Sequence, residues 1–444
     1  MFPIDTLKRI LAMNVGISQP ENEGMFDLLS TVYPLTVRRY RSGSEHNGWV
    51  IPHSWRVLKA SIEKEGKTLF DGTSHPLAVA GYSRSFHGSL AKAELDKKVF
   101  YRKDFPDAYA FHCIYIYRPW MKDWGFCIPF NDYRGWGEGM YQVDLKTELS
   151  DGDMLVGEAE VRGELSQTIV FCAHTCHPCQ ANDDMAGVIT VLRLFQRLSR
   201  RKNRYTYLAV LGPEYYGTVF YLADLPKSRL SDIRLGCFVE MPGSHTPFAL
   251  QRSLTGDTIL DRIAEHVLLH ADSSVTIGDF ACVVGNDESV WEAPGIEVPM
   301  VSISRWPYPE YHTSADNVGI LSEEKLDEML SVLEDIVYIL ENDCTIHRKF
   351  DGLVALSNPK YNLYFEHPDP VVAKELSDMD LRFAKMQDYL QRFFNGRHTV
   401  FEICTRFGIP FKSLLAYLKR FEERGLVELH PVVSLSSYDE PRHL

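Results

Sequence analysis

Residues 167–184, QTIVFCAHTCHPCQANDD, decide the fold that the sequence predicts. An unbroken apolar run leads into His174, and a short apolar run of this kind is typical of a strand buried on both faces. The segment that follows, MAGVITVLRLFQRLSRR, has a helical spacing, with apolar residues at 188, 191, 192, 195 and 198. The stretch therefore predicts a strand, a polar loop and a helix in succession.

The same alternation continues toward residue 342. The predicted strands TYLAVLG, LGCFVEM and VPMVSIS are separated or followed by the predicted helices GTVFYLADL, TILDRIAEHVLLH and SEEKLDEMLSVLEDIVYILEN. Strands that alternate with helices predict an α/β fold with a mostly parallel sheet flanked by helices. We expect this domain to comprise residues 1–45 and 136–355. We expect YQVDLKTEL and MLVGEAEVRG to form a hairpin through Asp151-Gly152.

Two further regions differ in texture from the α/β pattern. Residues 46–135 are rich in aromatic and turn residues and contain short β-like runs, which predicts a small inserted β-rich domain. Residues 375–444 contain a short helix, a turn at Gly408, a second helix and a β-like LVEL, which predicts a C-terminal winged helix. The run HPDPVV, at 367–372, is expected to be part of the linker before it.

Composition limits the classes of function. The chain has 444 residues, of which 45% are hydrophobic, and a net charge of −13. This charge disfavours nucleic acid as a partner, because phosphates repel an acidic surface. No apolar run approaches the ~18 residues of a membrane span, and we identify no signal peptide. Nine cysteines, mostly in apolar settings, indicate reduced thiols and a cytoplasmic protein. Homo-oligomerisation is left open.

Potential metal ligands follow successive predicted strands. The carboxyl ends of strands in an open α/β sheet are where ligands bind. Imidazoles mixed with carboxylates suit zinc, and a spare carboxylate can act as a general base. Each residue alone has an ordinary explanation, such as a helix N-cap or an exposed loop side chain, so the inference depends on the whole set. The set is His174, His177, Asp183, Glu214, Glu240 and His312.

These residues lie in segments that resemble a known family. AHTCHP, ANDDMAG, PEYYG, FVEMPG and YPEYHTSADN resemble the zinc exopeptidases of the co-catalytic aminopeptidase type. SGSEHNGWVIPHSW, WGFC and the final helices are similar to a bacterial group of aminopeptidase-like proteins, often met near polysaccharide-biosynthesis functions. That group has an inserted β-rich domain and a C-terminal winged helix. The resemblance covers nearly the full chain and implies a zinc-exopeptidase-like fold.

The resemblance also implies roles for individual residues. Glu214 is expected to be the general base, and a cis peptide bond is expected between Asp183 and Asp184. The implied metal ligands are His174 and Glu240 on the first ion, His312 on the second ion, and Asp183 between the two ions.

Two departures from the family pattern weaken the expected second metal site. Tyr215 stands where the family has a second Glu, and tyrosine is a poor zinc ligand because its pKa is near 10. Cys176 stands where a carboxylate usually orients the first His. His177, and also Cys176, are candidates to compensate as ligands. We therefore expect one tightly bound zinc, held by His174, Asp183 and Glu240, and a second ion that binds weakly or not at all.

Substrate contacts are predicted at three positions: Glu288 for a free amino group, Arg305 for a carboxylate or for pairing with Glu310, and Tyr215. The aromatic residues of the insert, Trp124, Phe126 and Tyr133, could contact substrate, although a core role is favoured.

The predicted function is hydrolysis of an amide bond in a peptide or small amide substrate. We expect an aminopeptidase-like enzyme that uses a zinc-bound water with Glu214 as general base. One alternative is a deacylase or amidase for a sugar or nucleoside intermediate, and another is a non-catalytic regulatory protein with a decayed metal site. Only Lys412, Ser413 and Lys419 of the predicted recognition helix could reach bases, so the winged helix is predicted to serve packing or dimerisation.

Overall fold

The computed structural model describes residues 2–113, 115–118, 120–365 and 378–435. The chain forms two compact units. Unit 1 comprises Met1–Gly256 and Ser274–Ser331, and unit 2 comprises Asp257–Ser273 and Val332–Leu444. Residues 257–273 and 332–355, which the sequence assigned to the α/β domain, thus belong to unit 2. The predicted linker run at 367–372 lies outside the described residues.

The strands are β1 Thr36–Arg41, β2 Glu45–His46, β3 Trp49–Val50, β4 Ser54–Lys64, β5 Lys67–Asp71, β6 Phe86–Ala91, β7 Val99–Phe100, β8 Phe126–Cys127, β9 Met140–Ser150, β10 Asp153–Val161, β11 Thr168–His174, β12 Thr206–Gly212, β13 Ile233–Val239, β14 Phe248–Gln251, β15 Thr276–Gly278, β16 Met300–Arg305, β17 Cys344–Arg348, β18 Asn395–Thr399 and β19 Val427–Pro431. The helices are α1 Ile4–Leu11, α2 Asn22–Val32, α3 Lys92–Leu95, α4 Phe130–Tyr133, α5 Ala186–Leu198, α6 Tyr216–Asp224, α7 Lys227–Asp232, α8 Ile259–Ala271, α9 Glu288–Trp291, α10 Glu323–Asn342, α11 Asp378–Leu390, α12 Val400–Phe407 and α13 Phe411–Glu423.

The main sheet of unit 1 has the order β1-β10-β12-β11-β13-β16-β14-β15. The four central strands, β12, β11, β13 and β16, pair in parallel. The pairs β1–β10, β10–β12 and β14–β16 are antiparallel. Every residue of β11 and of β12 is buried. The unbroken apolar runs therefore form strands covered on both faces, and the predicted α/β fold is confirmed.

A second, antiparallel sheet with the order β5-β4-β9-β6 forms the β-rich part of unit 1. Trp124, Phe126 and Tyr133 belong to its buried core, which confirms the core interpretation of these aromatic residues. The predicted hairpin at Asp151-Gly152 is wrong, because β9 pairs with β4 and β6 while β10 pairs with β1 and β12. The β-rich sheet thus extends past residue 135, and its status as a separate domain stays a prediction.

In unit 2, β18, β17 and β19 form a three-stranded sheet. Helices α12 and α13 meet at Gly408, which has a left-handed φ of 62°. Side chains of α13 contact the unit's own chain, because Lys412 pairs with Asp335, and Tyr417 donates a hydrogen bond to the carbonyl of Leu363 at 2.6 Å. The winged helix assignment and its packing role stay predictions. Within the described ranges, no helix combines the length and apolarity needed to span a membrane.

Candidate metal centre

The loop after β11 carries Asp183 into the interior of unit 1. The peptide bond between Asp183 and Asp184 is cis, as the family resemblance implied. Asp316 fixes this loop, because its carboxylate accepts the backbone N–H groups of Asn182 at 2.7 Å and Asp183 at 3.1 Å. Burial raises the pKa of Asp316 to about 7, with the nearby Asp183 charge as a further cause.

Three imidazoles surround Asp183, and we call these four residues the imidazole cluster: His174, His177, Asp183 and His312. His174 Nε2 lies 3.1 Å from Asp183 Oδ1. His177 Nε2 and His312 Nε2 lie 3.4 Å and 3.3 Å from Asp183 Oδ2. His177 therefore turns toward the Asp183 carboxylate, and its role as a compensating ligand stays a prediction.

The donor atoms of His177, Asp183 and His312 fit a metal ion. They lie within 4.8 Å of one another. Although His177 Nε2 and Asp183 Oδ2 are close, they are too far apart for a good hydrogen bond, and each is buried without a hydrogen-bond partner among the described residues. Tetrahedral ligands at 2.0–2.2 Å from zinc lie about 3.3–3.6 Å apart, which matches the separations from Asp183 Oδ2.

The electrostatics of Asp183 also suit a cation. Burial alone would oppose ionisation of its carboxyl, but the three imidazoles of His174, His177 and His312 around it hold its pKa well below the usual range. Burial raises the pKa of the adjacent Asp184 well above its usual range. Asp184 accepts the backbone N–H groups of Met241 at 2.9 Å and His174 at 3.2 Å, so it supports the loop backbone.

Cys176 occupies the position of the missing orienting carboxylate. Its Sγ lies 3.3 Å from His174 Nδ1. This contact holds the ring so that Nε2 points toward Asp183. An outer partner of this kind fixes the tautomer and orientation of a metal-binding histidine.

Glu240 lies in a different environment, which we call the acidic cluster: Glu240, Asn286 and Glu288. The Asn286 side-chain amide and the Ser302 hydroxyl both donate to the Glu240 carboxyl. Burial and the neighbouring Glu288 raise the pKa of Glu240 well above its usual range. The expected three-ligand site of His174, Asp183 and Glu240 stays a prediction.

Glu288, the expected contact for a substrate amino group, is only 1% exposed. Its Oε1 accepts hydrogen bonds from the Gln251 side chain at 2.6 Å and from the Asn286 N–H at 2.9 Å. Burial raises the pKa of Glu288 to about 7. Its contacts tie it to the acidic cluster.

Glu214 is held at the turn between β12 and α6. The Tyr117 hydroxyl donates to Glu214 Oε2 at 2.7 Å, across 97 residues of sequence. Burial raises the pKa of Glu214, while the charge of His174 and the hydrogen bond from Tyr117 lower it. A carboxylate with a raised pKa, held on one oxygen and partly exposed, suits a general base.

The other two residues predicted to contact substrate, Arg305 and Tyr215, contact side chains of the protein itself. Arg305 is buried, lies 3.8 Å above the Phe248 ring and pairs with Glu328, so the acidic partner that the structure shows is Glu328 rather than Glu310. Tyr215 has a φ of +56°, and its ring stacks on Trp49 with centroids 5.7 Å apart. Burial raises the pKa of Tyr215 to about 12, so its hydroxyl stays neutral, and a neutral phenol is a poor zinc ligand.

A strap from the inserted segment lies over the imidazole cluster. Phe111 stacks on His177 at a centroid distance of 4.2 Å, and its N–H donates to the carbonyl of His312 at 2.8 Å. Tyr109 and Ser314 exchange two further hydrogen bonds. Sequence reasoning missed Phe111, Tyr117 and Asp316, because their partners lie far away along the chain. The position of Asp316 inside YHTSADN was the one available signal.

Comparisons with known proteins agree with this fold. A family model described as "Domain of unknown function (DUF4910)" matches residues 5–343. The "Putative polysaccharide biosynthesis protein with aminopeptidase-like domain" of Clostridium acetobutylicum is 28% identical over 322 residues, which are 72% of this chain and 73% of that protein.

Two solved structures are similar to this chain. A crystal structure described as a "putative peptidase" from Clostridium acetobutylicum has a TM-score of 0.78 and 24% identity, covering 96% of this chain and 95% of that one. A zinc aminopeptidase from Bacillus subtilis has a TM-score of 0.56 and 12% identity, covering 75% and 93%. At these identities the likeness shows a shared fold, which is that of zinc aminopeptidases.

Proposed function

We propose the following function for this chain, which belongs to the DUF4910 family. The protein is a metal-dependent hydrolase of amide bonds, of the aminopeptidase-like type. The observation that carries this proposal is the convergence of two buried, unpartnered donor atoms, His177 Nε2 and Asp183 Oδ2, with His312. The zinc aminopeptidase fold supports the same conclusion.

Zinc is the metal that the donor set supports best, because two imidazoles and one carboxylate leave a fourth position open. We place the tighter ion at His177, Asp183 and His312. A second, weaker ion would use His174 and the other Asp183 oxygen, with Glu240 as a further candidate ligand. This proposed tight site differs from the predicted set of His174, Asp183 and Glu240, because the buried donor atoms without a hydrogen-bond partner belong to His177 and Asp183, whereas Glu240 accepts hydrogen bonds from Asn286 and Ser302.

A bound zinc ion would supply polarisation of the scissile carbonyl and acidification of a water molecule. The chain's own residues do the rest. Glu214 takes the proton of the attacking water and returns it to the leaving amine. Tyr117 holds one oxygen of Glu214 so that the other faces the reaction, and Phe111 shields the imidazole cluster from solvent.

Replacement of the general base tests this function. Glu214→Gln keeps the side-chain shape and removes the base, so we expect the rate to fall by about 10²–10⁴ while bound metal is retained. The measurement pairs turnover of aminoacyl 4-nitroanilides with metal analysis of the same samples. Near-normal turnover by the variant would overturn the assignment of Glu214.

A second candidate is a deacylase or amidase for a sugar or nucleoside intermediate. It is favoured by the description of the Clostridium acetobutylicum relative, which joins polysaccharide biosynthesis to an aminopeptidase-like domain. The same residues would perform this chemistry. A panel that sets aminoacyl anilides against N-acyl sugars separates the two candidates.

A further inference from the structure

A cavity of about 350 Å³ opens beside Tyr215. Three segments contribute most of its apolar lining, and the polar side chains of His46, Asn47 and Ser289 also reach it. The apolar lining includes Trp49, Tyr215, Val219, Leu222, Val290 and Ile296. Within the described chain, no aspartate, glutamate, lysine or arginine lines it. The cavity is at the small end of the range of ligand pockets, about 300–1,000 Å³, so it suits a side group rather than a whole large ligand.

The Trp49 wall is built by a tight hairpin. Asn47 and Gly48 have φ values of 51° and 84°, which are the left-handed conformations that a two-residue hairpin turn requires. The register pairs His46 with Trp49, and Glu45 accepts the N–H of Gly48 at 2.8 Å. The Trp49 ring also lies edge-on to Tyr216, with centroids 5.3 Å apart. The indole is thus held on two sides.

The lining at Val290 is tied to the start of α6. Asp287 accepts hydrogen bonds from the Tyr215 N–H and from the Thr218 hydroxyl, and it directly precedes α9, which includes the lining residue Val290. These bonds therefore connect two segments of the lining.

The cavity adjoins the proposed general base. Tyr215 follows Glu214 directly in the chain, and its ring lines the cavity. The same ring lies edge-on to Tyr117, at 6.1 Å, and Tyr117 donates to Glu214. The cavity is therefore connected to Glu214 through the contacts of Tyr215 and Tyr117.

We propose that this cavity is a specificity subsite that binds an uncharged, apolar group of the substrate, of the size of an aromatic or branched aliphatic side chain. The proposal rests on the proposed amide hydrolysis for its catalytic consequence, but not for binding. Tyr215 then acts as a wall of the subsite, which gives a role to the residue that replaces the usual metal-binding carboxylate.

Substrate preference tests the subsite. In Val219→Trp the new indole fills the cavity, and in Trp49→Ala one wall is lost. For both variants, we expect the ratio of kcat/KM for phenylalanine 4-nitroanilide to that for alanine 4-nitroanilide to fall about tenfold or more, the scale of one or two methylenes in an apolar pocket. Trp120→Ala removes a tryptophan that is 65% exposed and serves as the matched control. An unchanged ratio in both cavity variants would overturn the proposal.

Binding of indole, measured by isothermal titration calorimetry, separates the subsite from the reaction. Indole is expected to bind the wild-type protein and Trp120→Ala, and to lose binding in Val219→Trp. Folding of each variant is checked by its thermal unfolding. Indole binding with this pattern but no turnover of any anilide would support the subsite and contradict the proposed function. No indole binding to the wild type would contradict the subsite.

Discussion

The imidazole cluster and the acidic cluster follow neighbouring strands, β11 and β13, yet they treat buried carboxyl groups in opposite ways. In the imidazole cluster, three histidines surround Asp183 and hold its pKa well below the usual range against the effect of burial. In the acidic cluster, Glu240 meets neutral donors and a second carboxyl, and its pKa is well above the usual range.

This contrast shows that the partners decide the charge of a buried carboxyl group when burial is the same. Asp183 is 2% exposed and Glu240 is 0% exposed. Imidazoles can favour the ionised form, whereas amide and hydroxyl donors do not offset the cost of desolvation and a nearby like charge. The imidazole cluster therefore suits a cation, whereas burial and Glu288 favour a protonated Glu240 in the acidic cluster.

The largest effect is expected from removal of the charge at the centre of the imidazole cluster. Asp183→Asn should lose bound zinc, because every proposed ligand arrangement includes this carboxylate. Its turnover should fall by a larger factor than the about 10²–10⁴ that we expect for loss of the general base. Asp184→Asn is the matched control, since Asp184 contacts backbone N–H groups instead. Zinc retained in Asp183→Asn, as measured by metal analysis after dialysis, would break the comparison.

Replacing one candidate ligand from each cluster sharpens the comparison. We expect His177→Ala to weaken the tighter zinc ion by at least about 10–100-fold, since even outer partners of metal ligands contribute on that scale. Glu240→Gln should retain one equivalent of zinc, because the tighter site does not include Glu240. Competition with a chromophoric chelator measures both affinities. The opposite order of the two variants would restore Glu240 as the tight ligand.

A smaller effect is expected at the tyrosine that holds the base. Tyr117→Phe removes the hydrogen bond to Glu214, so kcat should fall about tenfold with KM unchanged, the scale of a hydrogen bond to a charged group. The acid limb of the pH profile should move to higher pH, because this bond lowers the pKa of Glu214. A merely structural role would leave the pH profile in place.

The smallest effect is expected in the pH dependence of stability. The pKa of Glu288 is about 7 in the folded chain against a reference of 4.5, so the folded state binds the extra proton. Its contribution to stability is complete below pH 4.5 and is lost as the pH rises through about 7.

Glu288→Gln should reduce this loss by about 1–3 kcal/mol in the free energy of unfolding. Urea unfolding of the metal-depleted protein at pH 5 and pH 8 measures the difference. Glu138→Gln, at an exposed position, is the control. Identical pH dependence of the unfolding free energy in wild type and Glu288→Gln would contradict the raised pKa of Glu288 in the folded chain.

Residues whose roles depend on local sequence could be predicted from it. The apolar run into His174 predicted a buried strand, and the helical spacing after Asp184 predicted α5, because both signals repeat within one element. The strand-end positions brought His174, Asp183 and His312 together in the prediction and in the structure. The hairpin at Asp151-Gly152 failed, because a turn dipeptide does not specify the sheet that each arm joins.

The sequence by itself determined the kind of fold and the strand ends that carry ligand-type side chains, since periodicity and order along the chain are local properties. Only the tertiary structure decided which side chains surround each carboxyl group and which aromatic residues lie over the site. It placed His177 on Asp183, Asn286 on Glu240 and Tyr117 on Glu214. Those pairings bring together residues far apart in sequence or fix the direction of a side chain, and neither has a periodic signal.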